Sequence, residues 1–169
     1  LHKAVPRELF GVRIVYGAES SVTDYEGHLD FPDKECAALD WIIGSVHLDI
    51  LQSGTLVQNT ETYLGLAENP LVDVIGHCAT TKFVLVEINE STLLWKNAEG
   101  NYRKIIPLCK KYGVNVIVNT DAHFYASVGQ VSQSMKLLRE YDYPEELIVN
   151  LSGERILERL RRKNKEIFR

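Results

Sequence analysis

Asp121 and His123 stand two residues apart where the apolar run Val114-Asn115-Val116-Ile117-Val118 gives way to a polar loop. Side chains at i and i+2 of an extended end point to the same side, so a carboxylate oxygen and an imidazole nitrogen can reach one metal ion. Other apolar runs end in similar groups: 12–19 at Glu19, 39–46 at His47 and 72–76 at His77. Together they supply three imidazoles and two carboxylates, a mixture that suits zinc, manganese or iron. Taken singly, each histidine reads as a loop or capping residue and Glu19 as a solvated acid. The repeated position at strand ends is what argues for shared chemistry.

The elements that must position these groups follow from the periodicity. Strands are expected over 12–19, 39–46, 72–76, 83–88, 114–118 and 147–150. Residues 22–31 read as a hairpin or an irregular excursion. Helices are expected over 60–66, over 101–111 through Tyr102, Ile105, Ile106 and Cys109 with Gly113 as the stop, and over 128–141. Ser152 should cap a last helix through Ile156, Leu157 and Leu160. Strands alternating with helices predict an α/β architecture with parallel strands, in a barrel or a doubly wound sheet, whose C-terminal strand edge gathers the functional groups.

Bulk properties narrow the function classes. The 169 residues, 45% hydrophobic and 25% charged, fit one soluble domain with a sizeable core. A net charge of −4 argues against a broad nucleic-acid footprint. The basic cluster Arg159, Arg161, Arg162, Lys163 and Lys165 reads as a solvated helix end that suits the negative pole of the helix dipole. Cys36, Cys78 and Cys109 have no metal-binding or disulfide spacing, which points to a reducing cytoplasm. No run approaches the ~18 apolar residues that a membrane span requires.

One connection conflicts with this pattern. Only Cys78-Ala79-Thr80-Thr81-Lys82 separate the run ending at His77 from the strand starting at Phe83, whereas a parallel crossover takes about 10 residues or more. Either those two strands are antiparallel or a crossover segment is absent; the second is the expectation here. The opening Leu1-His2-Lys3-Ala4-Val5-Pro6 likewise reads as the middle of a domain, so the chain is expected to be part of a longer protein.

The succession Tyr16-Gly17-Ala18-Glu19, Ile43-Gly44-Ser45-Val46-His47, Asp73-Val74-Ile75-Gly76-His77, Val86-Glu87-Ile88-Asn89 and Asn119-Thr120-Asp121-Ala122-His123 resembles the PHP (polymerase and histidinol phosphatase) superfamily. It is most similar to the small stand-alone PHP phosphoesterases, and the tail from Pro144 to Ser152 continues the likeness. The resemblance implies a distorted (β/α)7 TIM-like barrel, incomplete in this chain, with 1–169 as a single PHP-type domain. It also implies up to three divalent ions, zinc or manganese, with iron as an alternative. Glu19 matches the bridging glutamate, and His47, His77, Asp121 and His123 match the later metal ligands. Glu87 and Asn89 match positions that orient ligands or form the site wall, and Lys96 a basic position suited to a phosphate.

The implied activity is hydrolysis of a small phosphomonoester by a metal-activated water, with Glu19, Asp121 and His123 as the catalytic group. No membrane partner is implied, nucleic acid is disfavoured, and a homo-oligomer such as a trimer is compatible. Two rivals stand beside this reading, and departures from the family pattern bear on one of them. The His-x-His strand and the second histidine motif, which precede Glu19 in the family, are missing, and His2 reads as a loop residue. Cys78-Ala79 also stands where Pro-Gly is usual, with Cys78 either an extra ligand or a small packed residue. The missing motifs support one rival, a degenerate metal-binding scaffold; the other, from the same fold, is a nuclease or proofreading module, which the acidic balance disfavours.

Overall fold

The computed structural model describes residues 5–76, 85–94 and 98–163. Its first elements, β1 (Glu8–Leu9) and β2 (Val12–Arg13), form an antiparallel ribbon turned at Phe10 and Gly11, whose φ angles are 52° and 77°. The main sheet is parallel. It comprises β3 (Gly17–Ser21), β4 (Trp41–Ser45), β5 (Val74–Ile75), β6 (Leu85–Asn89) and β7 (Val116–Asn119), and its spatial order repeats the order along the chain. Parallel neighbours need crossovers, which carry α1 (Asp33–Ala38), α2 (Leu56–Glu68), α3 (Glu90–Leu93) and α4 (Ala98–Tyr112). The helices α5 (Ser132–Glu140) and α6 (Gly153–Lys163) follow β7. This is an α/β fold, and a sheet that advances one strand at a time in one direction is compatible with a TIM-like architecture. The described strands form an open sheet of five.

Alternation along each strand separates the two faces. On one face Val86, Ile88, Val116 and Val118 pack against Tyr102, Ile106 and Cys109 of α4 and against Leu137 and Leu138 of α5. Tyr102, Ile106 and Cys109 recur at helical spacing, and Gly113, at φ 63°, ends the helix as the sequence suggests. Beside this layer α2 contributes Leu66 to a cluster with Val22, Val72 and Ile75. There the backbone of the 22–31 excursion lies against the helix: a Cβ on Gly65 would come within 2.0 Å of the Glu26 carbonyl oxygen. On the opposite face Val74, Leu85 and Ile117 pack with Trp41, Ile43 and Ile156 of α6.

Several expectations are corrected. The run 12–19 is two strands, not one, because β2 folds back on β1 while the N–H of Tyr16 donates to Asp40 Oδ2 at 2.7 Å. Glu19 therefore sits inside β3 rather than at its end. The stretch 60–66, expected as part of a helix, lies inside α2, which starts at Leu56 because Thr55 and Gln58 form a reciprocal capping box. The helix over 128–141 is shortened to α5, preceded by a 3-10 turn at Tyr125–Ser127. The strand expected over 147–150 is two 3-10 turns, Glu145–Leu147 and Val149–Leu151, with one parallel bridge from Ile148 to Val116. Asn150 replaces the missing ladder: its Oδ1 accepts from the Val118 N–H at 3.0 Å and its Nδ2 donates to the Val118 carbonyl at 2.6 Å.

Parallel pairing of Val74 with Leu85 and Ile75 with Val86 excludes the antiparallel alternative for β5 and β6. His77, Cys78 and Lys96 lie outside the described residues.

Candidate functional site

The C-terminal edge of the sheet carries the polar residues of the inner face. β3 brings Glu19, β6 brings Glu87 and Asn89, and β7 brings Asn119, with Thr120 and Asp121 just beyond. Together they line a cleft of about 330 Å³ over Trp41 and Ile43. Towards the other edge the same face is apolar, with a cavity of about 270 Å³ among Val15, Gly17, Trp41, Ile117, Ile156 and Leu160. Each strand thus changes character along its length, apolar where α6 covers it and polar where the cleft opens.

Two pairs of candidate ligands form at this edge. His47, two residues past β4, has Nε2 at 3.4 Å from Glu19 Oε1, and both side chains are a little over one-third exposed. Its Nδ1 lies 2.9 Å from Ser21 Oγ. An N–H donated from Nδ1 to that hydroxyl leaves the Nε2 lone pair directed to the Glu19 side, the arrangement that a metal-binding histidine uses. In the second pair His123 Nδ1 is 3.7 Å from Asp121 Oδ1 and 3.0 Å from the Asp121 carbonyl oxygen. Asp121 has φ 50°, a left-handed conformation, whereas the His123 ring is 88% exposed. Glu19 and Asp121 share the cleft; among the described residues, no three of the candidate ligands come within 4.8 Å of one another.

Beneath them Glu87, 4% exposed, is held by two amides. Asn119 Nδ2 donates to its Oε1 at 2.9 Å, and Asn89 Nδ2 to its Oε2 at 3.4 Å. Asn89 Oδ1 in turn accepts from the Thr92 N–H at 2.8 Å, capping α3. Glu87 and Asn89 therefore form part of the cleft wall. Sequence reasoning missed Ser21 and Asn119; both are small polar residues that only a register assignment would put on the inner face.

It also missed a second group. Asp24, Glu26 and His28 offer ligand atoms within 4.8 Å of one another on the 22–31 excursion, and their i, i+2, i+4 spacing was the available signal. Local bonding accounts for this cluster. Asp24 Oδ1 accepts from the N–H groups of Glu26 and His28 at 3.0 and 3.1 Å, and Oδ2 lies 2.7 Å from His28 Nδ1. Slight burial opposes ionisation of Asp24, but the hydrogen bonds from His28 and Glu26 and the His28 charge outweigh it and hold the carboxyl below its usual range.

The chain is similar to proteins named probable phosphatases. That of Clostridium botulinum (strain Langeland) is 36% identical over 179 residues, covering 96% of this chain and 74% of the relative. Those of Clostridium novyi (strain NT) and Caldicellulosiruptor bescii are each 34% identical, covering 97% and 96% of this chain and 74% and 75% of the relative. The matched stretch of 179 residues exceeds the 169 of the chain, so the relatives hold residues within it that this chain lacks. No family model matches the chain.

Proposed function

The chain belongs to the family of these bacterial probable phosphatases, and from that premise we propose that it is a metal-dependent phosphoesterase acting on a small phosphomonoester. The observation that carries the metal dependence is the shared cleft in which Glu19, with His47 at 3.4 Å, and Asp121 open to solvent at the C-terminal sheet edge. The donor set fits a divalent ion. Carboxylate oxygens and an imidazole whose other nitrogen is engaged by Ser21 are ordinary ligands for zinc or manganese.

Glu19 and His47 would hold one side of this centre and Asp121 with His123 the other, with His77 assigned as a further ligand on the family resemblance alone. A bound divalent ion supplies Lewis acidity, bringing the pKa of water to about 7 and offsetting charge on the phosphoryl oxygens. The protein's own contribution is placement. Ser21 sets the His47 ring, Glu87 and its amide partners fix the cleft floor, and a carboxylate or histidine that is not a ligand returns a proton to the leaving oxygen. Lys96 steadies the phosphate.

The same reading makes the chain a single PHP-type domain of a (β/α)7 barrel that holds up to three ions, with a β5–β6 crossover longer in the relatives than in this sequence. The parallel β5–β6 pair supports it. So does the excess of matched residues in the relatives. Cys36 and Cys109 are buried and not joined in a disulfide, which supports a reducing cytoplasmic setting, and no described helix is long and apolar enough to cross a membrane. Nucleic acid is not the proposed substrate. The test is hydrolysis of an aryl phosphate and of a single-stranded oligonucleotide by the manganese-loaded full chain. Aryl phosphate turnover is expected, reduced by at least about 100-fold in Asp121→Ala with the melting temperature retained. Unchanged turnover in that variant, or turnover of the oligonucleotide alone, would remove the assignment.

A further inference from the structure

Asp121 occupies a left-handed backbone conformation, one that Asp adopts more readily than most L-residues, and the loop that carries it is anchored at both ends. Two carboxylates from one short stretch grip the segment that contains it. At the near end Asn119, two residues before Asp121, donates through Nδ2 to Glu87 Oε1 at 2.9 Å. At the far end the loop runs into α5, whose N-cap residue Val131 has no side-chain acceptor. Glu90 supplies it: Oε1 accepts from the Gln133 N–H at 2.8 Å and Oε2 from the Ser134 N–H at 2.7 Å. Glu90 is 8% exposed and Glu87 4%, so neither carboxylate is a casual surface contact.

We propose that Glu87 and Glu90 are positioning residues which clamp the two ends of the Asp121–His123 loop and thereby set its grip on a divalent ion. This rests on the metal-site reading given above. The requirement is for acceptors that cannot turn into donors. Each carboxylate receives an N–H on both oxygens, Glu87 from Asn119 and Asn89, Glu90 from Gln133 and Ser134. Glutamine at either position keeps the size but turns one oxygen into an NH2 facing another N–H. The geometry also supplies its own rescue. In Glu87→Gln with Asn119→Asp, the new Gln amide can donate to the new Asp while its oxygen still accepts from Asn89.

The experiment titrates Mn2+ into the metal-free full chain by calorimetry, follows hydrogen exchange over 118–134, and records melting of the metal-free protein. Glu87→Gln and Glu90→Gln should each weaken Mn2+ binding by about tenfold, and both should speed exchange over 118–134 while β3 and β4 exchange as in the wild type. The double variant should return both readouts close to wild type. A structural role alone would lower the melting temperature without that pattern of loss and rescue. Wild-type affinity and loop exchange in both glutamine variants, or a double variant no better than Glu87→Gln, would overturn the proposal. If the unaltered chain takes up no Mn2+, the phosphoesterase reading fails, and loop exchange with its rescue still decides whether the clamp exists.

Discussion

At the N-terminal edge of the parallel sheet, Asp40 and Asp73 accept from the backbone N–H groups of Tyr16 and Ile42 at 2.7 and 2.8 Å, and Arg7 pairs with Asp40. The Asp40 side chain has no exposure at all. At the C-terminal edge Glu19 and Asp121 are 38% and 31% exposed and look into a cleft. The same residue chemistry thus serves two purposes. Carboxylates at the first edge join one strand to the next; at the second edge they are partly exposed and face the cleft, while a deeper carboxylate, Glu87, accepts from the Asn119 amide. Under the proposed function the chemistry would lie at the edge where parallel α/β sheets usually carry it.

Substitutions can break this contrast in either direction. The largest effect belongs to Asp121→Ala, where activity should collapse and stability should hold. Asp40→Ala should do the reverse. Removing a buried carboxylate that accepts the Tyr16 N–H and pairs with a partly exposed arginine should cost about 2 kcal/mol of stability, read by urea unfolding, while turnover per folded molecule stays at the wild-type level. Lost turnover in a folded Asp40→Ala protein would blur the distinction between the edges.

A smaller effect concerns the face packed under α4 and α5. The Tyr143 hydroxyl donates to the Val114 carbonyl, and burial, with a lesser contribution from Cys109, pushes its pKa well above the ordinary tyrosine value. A group whose folded pKa is raised stabilises fully below its unfolded pKa, about 10, and that contribution is lost as pH rises beyond it. Unfolding midpoints of the wild type should therefore fall above pH 10. Tyr143→Phe should lose about 1 kcal/mol at neutral pH and show a shallower alkaline decline. An equally steep decline in the variant would place the titrating group elsewhere.

Much of this arrangement is legible in the sequence. Apolar runs gave β4 to β7 within a few residues, because buried parallel strands need continuous apolar stretches. Tyr102, Ile106 and Cys109 gave the buried stripe of α4, and Gly113 its end. What the residues do not carry is whatever long-range pairing decides. The break between β2 and β3 depends on Asp40, 24 positions from Tyr16. The replacement of a strand at 147–150 depends on the Asn150 amide reaching Val118 across 32 positions. Likewise the role of Glu90 depends on α5 lacking a side-chain cap of its own, 44 positions away. At the site, the strand ends indicate which residues can meet, and the pairs Glu19–His47 and Asp121–His123 do. The distance between those pairs is a property of the assembled sheet.

The most direct test is anomalous diffraction at the manganese edge from crystals of the full chain grown with Mn2+. The account predicts a peak in the cleft at the C-terminal sheet edge, within coordination distance of Glu19 and His47 ligand atoms. Density on Asp24, Glu26 and His28 alone, with none in the cleft, would contradict it.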